Sequence, residues 1–294
     1  VPDSWRLAEG DELAPELTAV RLLGGGSAYE AYLCFDELTF VPVVVKVLRP
    51  SQVDDPSALR GLRREVRALT DVDHPVVVRG LRYDLAHERP YVVLENCDGP
   101  RLSSLVRRYG PLQEQQYLPL AIDVAAALHY CGRIGYVHLD VKPSNVIMGA
   151  PARLIDLSVA RTVEEAADLR ALIGTDAYMA PEQCDPQGAW GVPGPASDVW
   201  GLGATVWEAV SGARPFRDGD PDAPDAEVAR RFPQTVEDPR PLPGRVPGAV
   251  AEVLTACLQR DPAARPQPAE VSEALEPVLT GLPRGRLAGF RVRG

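Results

Sequence analysis

Residues Tyr136–Asp156 read Tyr-Val-His-Leu-Asp-Val-Lys-Pro-Ser-Asn-Val-Ile-Met-Gly-Ala-Pro-Ala-Arg-Leu-Ile-Asp. Val146-Ile147-Met148 is a short apolar run, Gly149-Ala150-Pro151-Ala152 a turn, and Arg153-Leu154-Ile155 a return strand. The ends of such a hairpin are neighbours, so Asn145 and Asp156 are expected side by side. Asp140 precedes Asn145 on the loop leading in, with Lys142 between them. An oxygen-rich pair beside another carboxylate and a cation suits a Mg-phosphate site. Each of these residues alone is equally an ordinary turn residue; it is their joint spacing that singles the stretch out.

Working outward, 294 residues exceed what one core usually covers, so one large lobe or two smaller ones are expected. With 45% hydrophobic and 24% charged residues, the composition is that of a soluble globular protein. The net charge of −10 argues against a general nucleic-acid binder. It is unevenly spread: the end of the chain carries Arg284, Arg286, Arg291 and Arg293 and no acid. Such a tail suits a linker towards a membrane surface or another domain, or a disordered end. Cys34, Cys97, Cys131, Cys184 and Cys257 are widely spaced, and neither a Cys-x-x-Cys pair nor a zinc-ligand spacing occurs. A reduced, cytoplasmic compartment is therefore expected. No apolar run approaches the ~18 residues of a membrane span, and no signal-peptide pattern opens the chain.

In chain order, the first 17 residues read as a surface lead-in. Leu17–Leu23 and Ala31–Phe35 read as strands joined by Gly24-Gly25-Gly26-Ser27-Ala28-Tyr29, and Val41–Leu48 as a third, β-branched strand. Glycines at a hairpin tip let backbone N–H groups approach a phosphate, or simply make a flexible turn. The loop is not a Walker A sequence, and Tyr29 spoils a dinucleotide fingerprint. Lys46 interrupts its apolar strand, so it either snorkels outward or is buried with a partner. Pro56–Thr70 is a predicted helix with Leu59, Leu62, Val66 and Leu69 on one stripe and Glu65 beside it. Glu65 is either a solvated helix residue or the partner Lys46 needs. Val76–Val78 and Tyr91–Leu94 would complete a five-stranded sheet. Glu95–Pro100 is the polar junction after which the pattern becomes helical: Leu102–Arg108, Gln113–Gly132, the strongly apolar Asp198–Ser211, Ala249–Gln259 and Pro268–Leu279, with a short helical pattern near Asp225–Arg231. Leu157–Gln183 has no clear periodicity.

These residues resemble the protein kinase family, most closely its bacterial serine/threonine branch. The resemblance covers Thr18–Leu279 and rests on ordered motifs: Leu23-Gly24-Gly25-Gly26, Val45-Lys46-Val47-Leu48, Glu65, His74-Pro75, His138–Asn145, Asp156-Leu157-Ser158, Gly174-Thr175, Ala180-Pro181-Glu182, Asp198–Gly203 and Arg265. It implies an α+β, bilobal kinase-like fold: a small antiparallel sheet lobe with one main helix over residues 18–96, a mainly helical lobe over 97–280, and a basic tail over 281–294. It further implies that Lys46 holds the ATP phosphates and pairs with Glu65, and that Asn145 and Asp156 hold Mg2+, or Mn2+ in its place. Asp140 would accept or orient the proton of the attacking hydroxyl, Lys142 would neutralise the γ-phosphoryl charge, and Thr175 would brace both. Leu23, Gly24, Gly25, Gly26, Ala31, Val44, Leu94, Glu95, Cys97 and Ile147 would surround the nucleotide, with Glu95 and Cys97 on the hinge. Glu182 and Arg265 would form an ion pair, and Asp198 would tie down the catalytic-loop backbone.

The departures from the family pattern are as informative. Leu139 replaces the arginine usual between His and Asp, which in the family docks a phosphorylated activation loop. Glu164, Glu165 and Asp168 would also repel phosphate nearby, so loop phosphorylation is not expected to be the main on-switch. Asp156-Leu157-Ser158 carries Leu for Phe and Ser for Gly: leucine can still fill the apolar slot, while serine disfavours an inactive flip. Tyr29 for the last loop glycine and Ala31 for the usual valine predict a weaker or differently shaped lid over ATP.

The resulting expectation is a serine/threonine protein kinase acting on protein hydroxyls, with no nucleic-acid partner and no membrane insertion of this region; a homodimer is left open. The alternative is an ATP-binding pseudokinase scaffold, favoured by the altered loop and Leu139 and opposed by the intact set Lys46, Glu65, Asp140, Asn145 and Asp156. A small-molecule kinase would lack Ala180-Pro181-Glu182.

Overall fold

A computed structural model describes residues 3–224 and 227–283. The strands β1 (Glu12–Ala14), β2 (Leu17–Gly25), β3 (Tyr29–Asp36) and β4 (Val41–Leu48) precede helix α1 (Pro56–Asp71); β5 (Gly80–Asp84) and β6 (Tyr91–Glu95) follow it. They form one six-stranded antiparallel sheet in the order β1-β2-β3-β4-β6-β5. The sequence expectation of five strands is corrected twice. The lead-in supplies β1, because Leu13 and Ala14 are apolar enough to bury against the sheet. Val76–Val78 is not a sheet strand. Those three valines pack beneath the sheet, with the Val78 amide donating to the Leu154 carbonyl at 2.9 Å, and the sheet strand is the later, alternating Gly-Leu-Arg-Tyr-Asp.

Period-two alternation sends the sheet's side chains into two separate cores. Val43, Val45 and Val47, with Tyr32, Cys34, Tyr91 and Val93, line the outer face, which Trp5, Leu7 and Leu13 cover. Leu48, Val92 and Leu94 line the inner face against Leu62, Val66 and Leu69 of α1. Lys46 lies in the inner register, opposite Ala31 of β3 and Val92 of β6. α1 starts cleanly: Asp55 accepts from the Ser57 amide and Pro56 stands at its first position.

The remaining chain runs α2 (Leu102–Tyr109), α3 (Glu114–Arg133), β7 (Tyr136–Val137), β8 (Val146–Ile147), β9 (Arg153–Leu154), β10 (Arg161–Thr162), α4 (Val163–Ala167), α5 (Pro181–Cys184), α6 (Pro195–Ser211), α7 (Val228–Arg231), α8 (Gly248–Cys257) and α9 (Pro268–Thr280). Helix α6 is buried nearly all round and packs with α2, α3, α8 and α9 into the main helical core. β8 and β9 form the expected hairpin, Val146 opposite Leu154, and the Ile155 amide donates to the Asn145 carbonyl at 2.8 Å. The short helical pattern predicted near 225–231 is reduced to α7, and its first residues lie outside the described ones, as does the arginine-rich end. Among the described residues no helix is long and apolar enough to cross a membrane.

Candidate active site

Two clusters of charged side chains meet where the sheet faces the β8–β9 hairpin. The first is centred on Lys46. Its ammonium donates to Glu65 Oε1 at 2.8 Å and to Asp156 Oδ1 at 3.0 Å. Glu65 is 1% exposed, and its Oε2 has no hydrogen-bond partner among the described residues. An unpartnered buried carboxylate oxygen is costly, and Lys46 is what makes it tolerable. Burial alone would lower the Lys46 pKa, but the two carboxylates outweigh it and raise it above its ordinary value. Burial would likewise raise Asp156, yet the Lys46 ammonium holds it well below the usual carboxylate range. Lys46 therefore stays cationic and Asp156 anionic across the physiological range.

The second cluster is centred on Asp140. Thr175 Oγ1 donates to Asp140 Oδ1 at 2.8 Å, and Lys142 Nζ lies 2.6 Å from Asp140 Oδ2 and 2.6 Å from Thr175 Oγ1. Asn145 Nδ2 donates to both the carbonyl and Oδ2 of Asp140, at 2.9 and 3.0 Å. A loop would not hold four polar side chains together unaided. Here the buried Asp198 accepts from the amides of His138 and Leu139, both at 2.7 Å, anchoring the loop to α6. Leu139 needs that anchor, because its φ is +63°, a region in which a non-glycine residue is strained.

The residues expected to hold a metal fit one. Asn145 spends its amide N–H groups on Asp140, which leaves its oxygen without a hydrogen-bond partner among the described residues, and the Asp156 side chain is 38% exposed with only Oδ1 engaged. No group of three or more His, Cys, Asp or Glu with metal-site geometry occurs among the described residues. Two oxygen ligands completed by phosphates and water are what Mg2+ usually takes, whereas zinc demands a full protein set.

The expected nucleotide-facing residues lie on or just beyond five strands. Leu23, Gly24 and Gly25 end β2, Gly26 begins the turn with its amide 3.1 Å from the Tyr29 carbonyl, and Ala31 and Val44 follow on β3 and β4. Leu94, Glu95 and the half-buried Cys97 lead out of β6, and Ile147 lies on β8, bridged to Arg101 further along the same segment. Gly99 lets this segment pass close to β8: its φ is +130°, and a Cβ there would collide with the Met148 carbonyl and lie 3.2 Å from Ile147 Cγ2. The Glu95 carboxylate is engaged by Arg153 and by the Arg79 amide, and its own amide donates to the Arg79 carbonyl at 3.0 Å.

Other framework contacts are also in place. Glu182 and Arg265 form a bidentate pair at 2.7 and 2.8 Å with neither side chain exposed, and Leu157 is buried against α1. Two residues have a part that sequence reasoning missed. Gln183 donates to the carbonyls of Leu139 and Ile173 at 2.9 and 3.1 Å, clasping the loop to the segment after it. Tyr29, read only as a defect in the glycine loop, lies with its ring against Lys46. Its position as the only aromatic residue in a glycine-rich tip was the one available signal.

Proteins similar to this chain are serine/threonine-protein kinases. The family model described as the protein kinase domain matches residues 17–275. Serine/threonine-protein kinase PknB of Mycobacterium leprae is 31% identical over 275 residues, which cover 89% of the chain and 43% of that protein. PknB of Mycobacterium tuberculosis is 30% identical over 261 residues, 84% of the chain and 40% of that protein. PknA of the same organism is 31% identical over 254 residues, 83% of the chain and 57% of that protein. The chain thus spans only about two fifths of the length of the PknB proteins it matches.

Proposed function

Given that the chain belongs to the protein kinase family, we propose that it transfers the γ-phosphoryl group of ATP to serine or threonine hydroxyls of proteins. The observation that carries this reading is the closed ring of Asp140, Lys142 and Thr175, with Asn145 bonded to Asp140, beside the Lys46–Glu65–Asp156 cluster. Asp140, with both carboxylate oxygens hydrogen-bonded, would orient the incoming hydroxyl and take its proton. Lys142 offsets negative charge at the transferring group, and Thr175 fixes both side chains in one geometry. Asn145 and Asp156 would hold Mg2+, and Lys46 would contact the nucleotide phosphates. Bound Mg-ATP would supply the phosphoryl group and the charge that stabilises its transfer.

The reading extends to regulation. Leu139 is 3% exposed and packs with Val137, Val159, Val163, Ala166 and Leu169, so α4 docks through apolar contacts where the family pattern would place a cation for phosphate. This supports activity that does not depend on activation-loop phosphorylation, in a domain working in the cytoplasm. One observation favours the pseudokinase alternative: an aromatic ring rests on Lys46, on the side of the glycine hairpin. Incubation with Mg-ATP and a generic protein substrate separates the two. The wild type should incorporate phosphate and Asp140→Asn should lose at least about 100-fold; equal incorporation would overturn the kinase reading.

A further inference from the structure

Tyr29 stands where the family pattern places the third glycine of the phosphate loop, and three contacts explain what it does there. It lies in β3 opposite Leu48 of β4, on the same face as Ala31, which is itself opposite Lys46. Lys46 Nζ sits 4.7 Å from the centroid of its ring. Its hydroxyl reaches α1, donating a long hydrogen bond of 3.4 Å to the Ala58 carbonyl. One turn further along α1 is Gly61, where a Cβ would lie 2.9 Å from the Tyr29 hydroxyl oxygen.

Gly61 is otherwise hard to account for. Glycine inside a helix costs roughly 0.5–1 kcal/mol relative to alanine. It makes sense as the hole into which the Tyr29 side chain fits. α1 also carries Glu65, one turn beyond Gly61, and Glu65 pairs with Lys46. The ring thus touches both partners' supports: it faces the Lys46 ammonium on one side and the helix bearing Glu65 on the other. Burial, with Glu65 adding to it, pushes the Tyr29 hydroxyl up to about 12, so it remains a neutral donor.

We propose that Tyr29 is a positioning residue that, seated in the notch at Gly61, links the glycine hairpin to α1 and holds Lys46 and Glu65 together before nucleotide arrives. This rests on the kinase reading for its consequence in catalysis, while the coupling itself is a property of the nucleotide-free protein. A cation over an aromatic face and a half-buried hydroxyl contact stabilise the engaged arrangement. When the binding-competent arrangement is only partly populated, apparent affinity falls by that fraction.

The test is a double-mutant cycle on Tyr29→Gly and Gly61→Ala, with Tyr29→Phe as the conservative variant. Amide exchange across residues 56–71 is measured in the nucleotide-free protein, and KM for ATP and kcat are measured alongside. Tyr29→Gly should speed exchange in α1 and raise KM for ATP by about tenfold, with kcat falling by no more than about twofold. Tyr29→Phe should raise KM by about threefold. Gly61→Ala should raise KM in the wild type although alanine favours helix, and should have no effect once Tyr29 is glycine. Additive effects of the two substitutions, or unchanged exchange in α1, would overturn the coupling. A lower KM in Tyr29→Gly would also overturn it, because the ring would then be an obstacle to phosphate. Loss of kcat at unchanged KM would mark Tyr29 as merely structural. If the wild type transferred no phosphate, the kinase reading would fail, yet the exchange cycle would still decide this proposal.

Discussion

The Leu139 amide donates to Asp198 Oδ1 at 2.7 Å, so a strained backbone position beside Asp140 is held by a buried carboxylate from α6. The other oxygen of Asp198 takes the His138 amide at 2.7 Å. Both oxygens are therefore acceptors, and the pair of N–H groups is matched only by a carboxylate.

Asp198→Asn presents an amide N–H group to one of those donors. The substitution should cost about 2–3 kcal/mol of stability and release Asp140 from its bonds to Lys142 and Thr175. Chemical denaturation should show the loss, and kcat should fall more than KM changes. An Asn variant with wild-type kcat would show that the anchor does not position the loop.

Leu139→Arg restores the residue usual in the family but puts a cation among Val137, Val163, Ala166 and Leu169. The uncompensated charge should destabilise the protein by about 2–4 kcal/mol and loosen α4, read as faster amide exchange over residues 163–167. In the wild type, phosphatase treatment should change the transfer rate by less than about twofold. A loss beyond tenfold, reproduced by Thr162→Ala, would sink the view that loop phosphorylation is dispensable.

Thr175 donates to Asp140 and accepts from Lys142 through one oxygen. Thr175→Ala should lower kcat by about 10–100-fold with little effect on KM for ATP, and Thr175→Ser, which keeps the oxygen, should recover most of it. Equal activity of the Ala and Ser variants would remove Thr175 from the site.

The Asp36 carboxylate is fully buried and takes a two-pronged bond from Arg82, at 2.6 and 2.8 Å, which joins β3 to β5. The Arg82 guanidinium holds Asp36 well below the usual carboxylate range, against the opposing effect of burial. Because the folded value lies below the unfolded one, this stabilisation is complete above about pH 4 and is lost as pH falls further. Asp36→Asn should lower stability at neutral pH by about 2–4 kcal/mol and make the acid-side decline shallower. A parallel acid-side curve would show that Asp36 does not carry the dependence.

Much of this was legible before any coordinates. The β8–β9 hairpin could be read because an apolar run, a turn and a return strand are local features. Helix α6 was legible from its apolar sequence, and α1 from its stripe. The misreadings were also local in origin. Val76–Val78 has strand composition, yet those valines fill the space beneath the sheet, while the less apolar Gly80–Asp84 takes the edge position, where alternation matters more than hydrophobicity. The lead-in was underestimated because Leu13 and Ala14 gain burial only from a sheet made later in the chain.

The chain's order of residue types determined which chemical groups are present and which short segments turn, because those depend on neighbours a few positions apart. Tertiary packing alone decided that Lys46 is buried with Glu65 and not snorkelling, since those residues meet only when α1 closes on the sheet. It decided too that Leu139 sits in an apolar cluster and that Tyr29 turns inward onto Lys46 and Gly61. A side chain's partner across the sheet or from a distant helix is set by register and close packing, which no local pattern encodes.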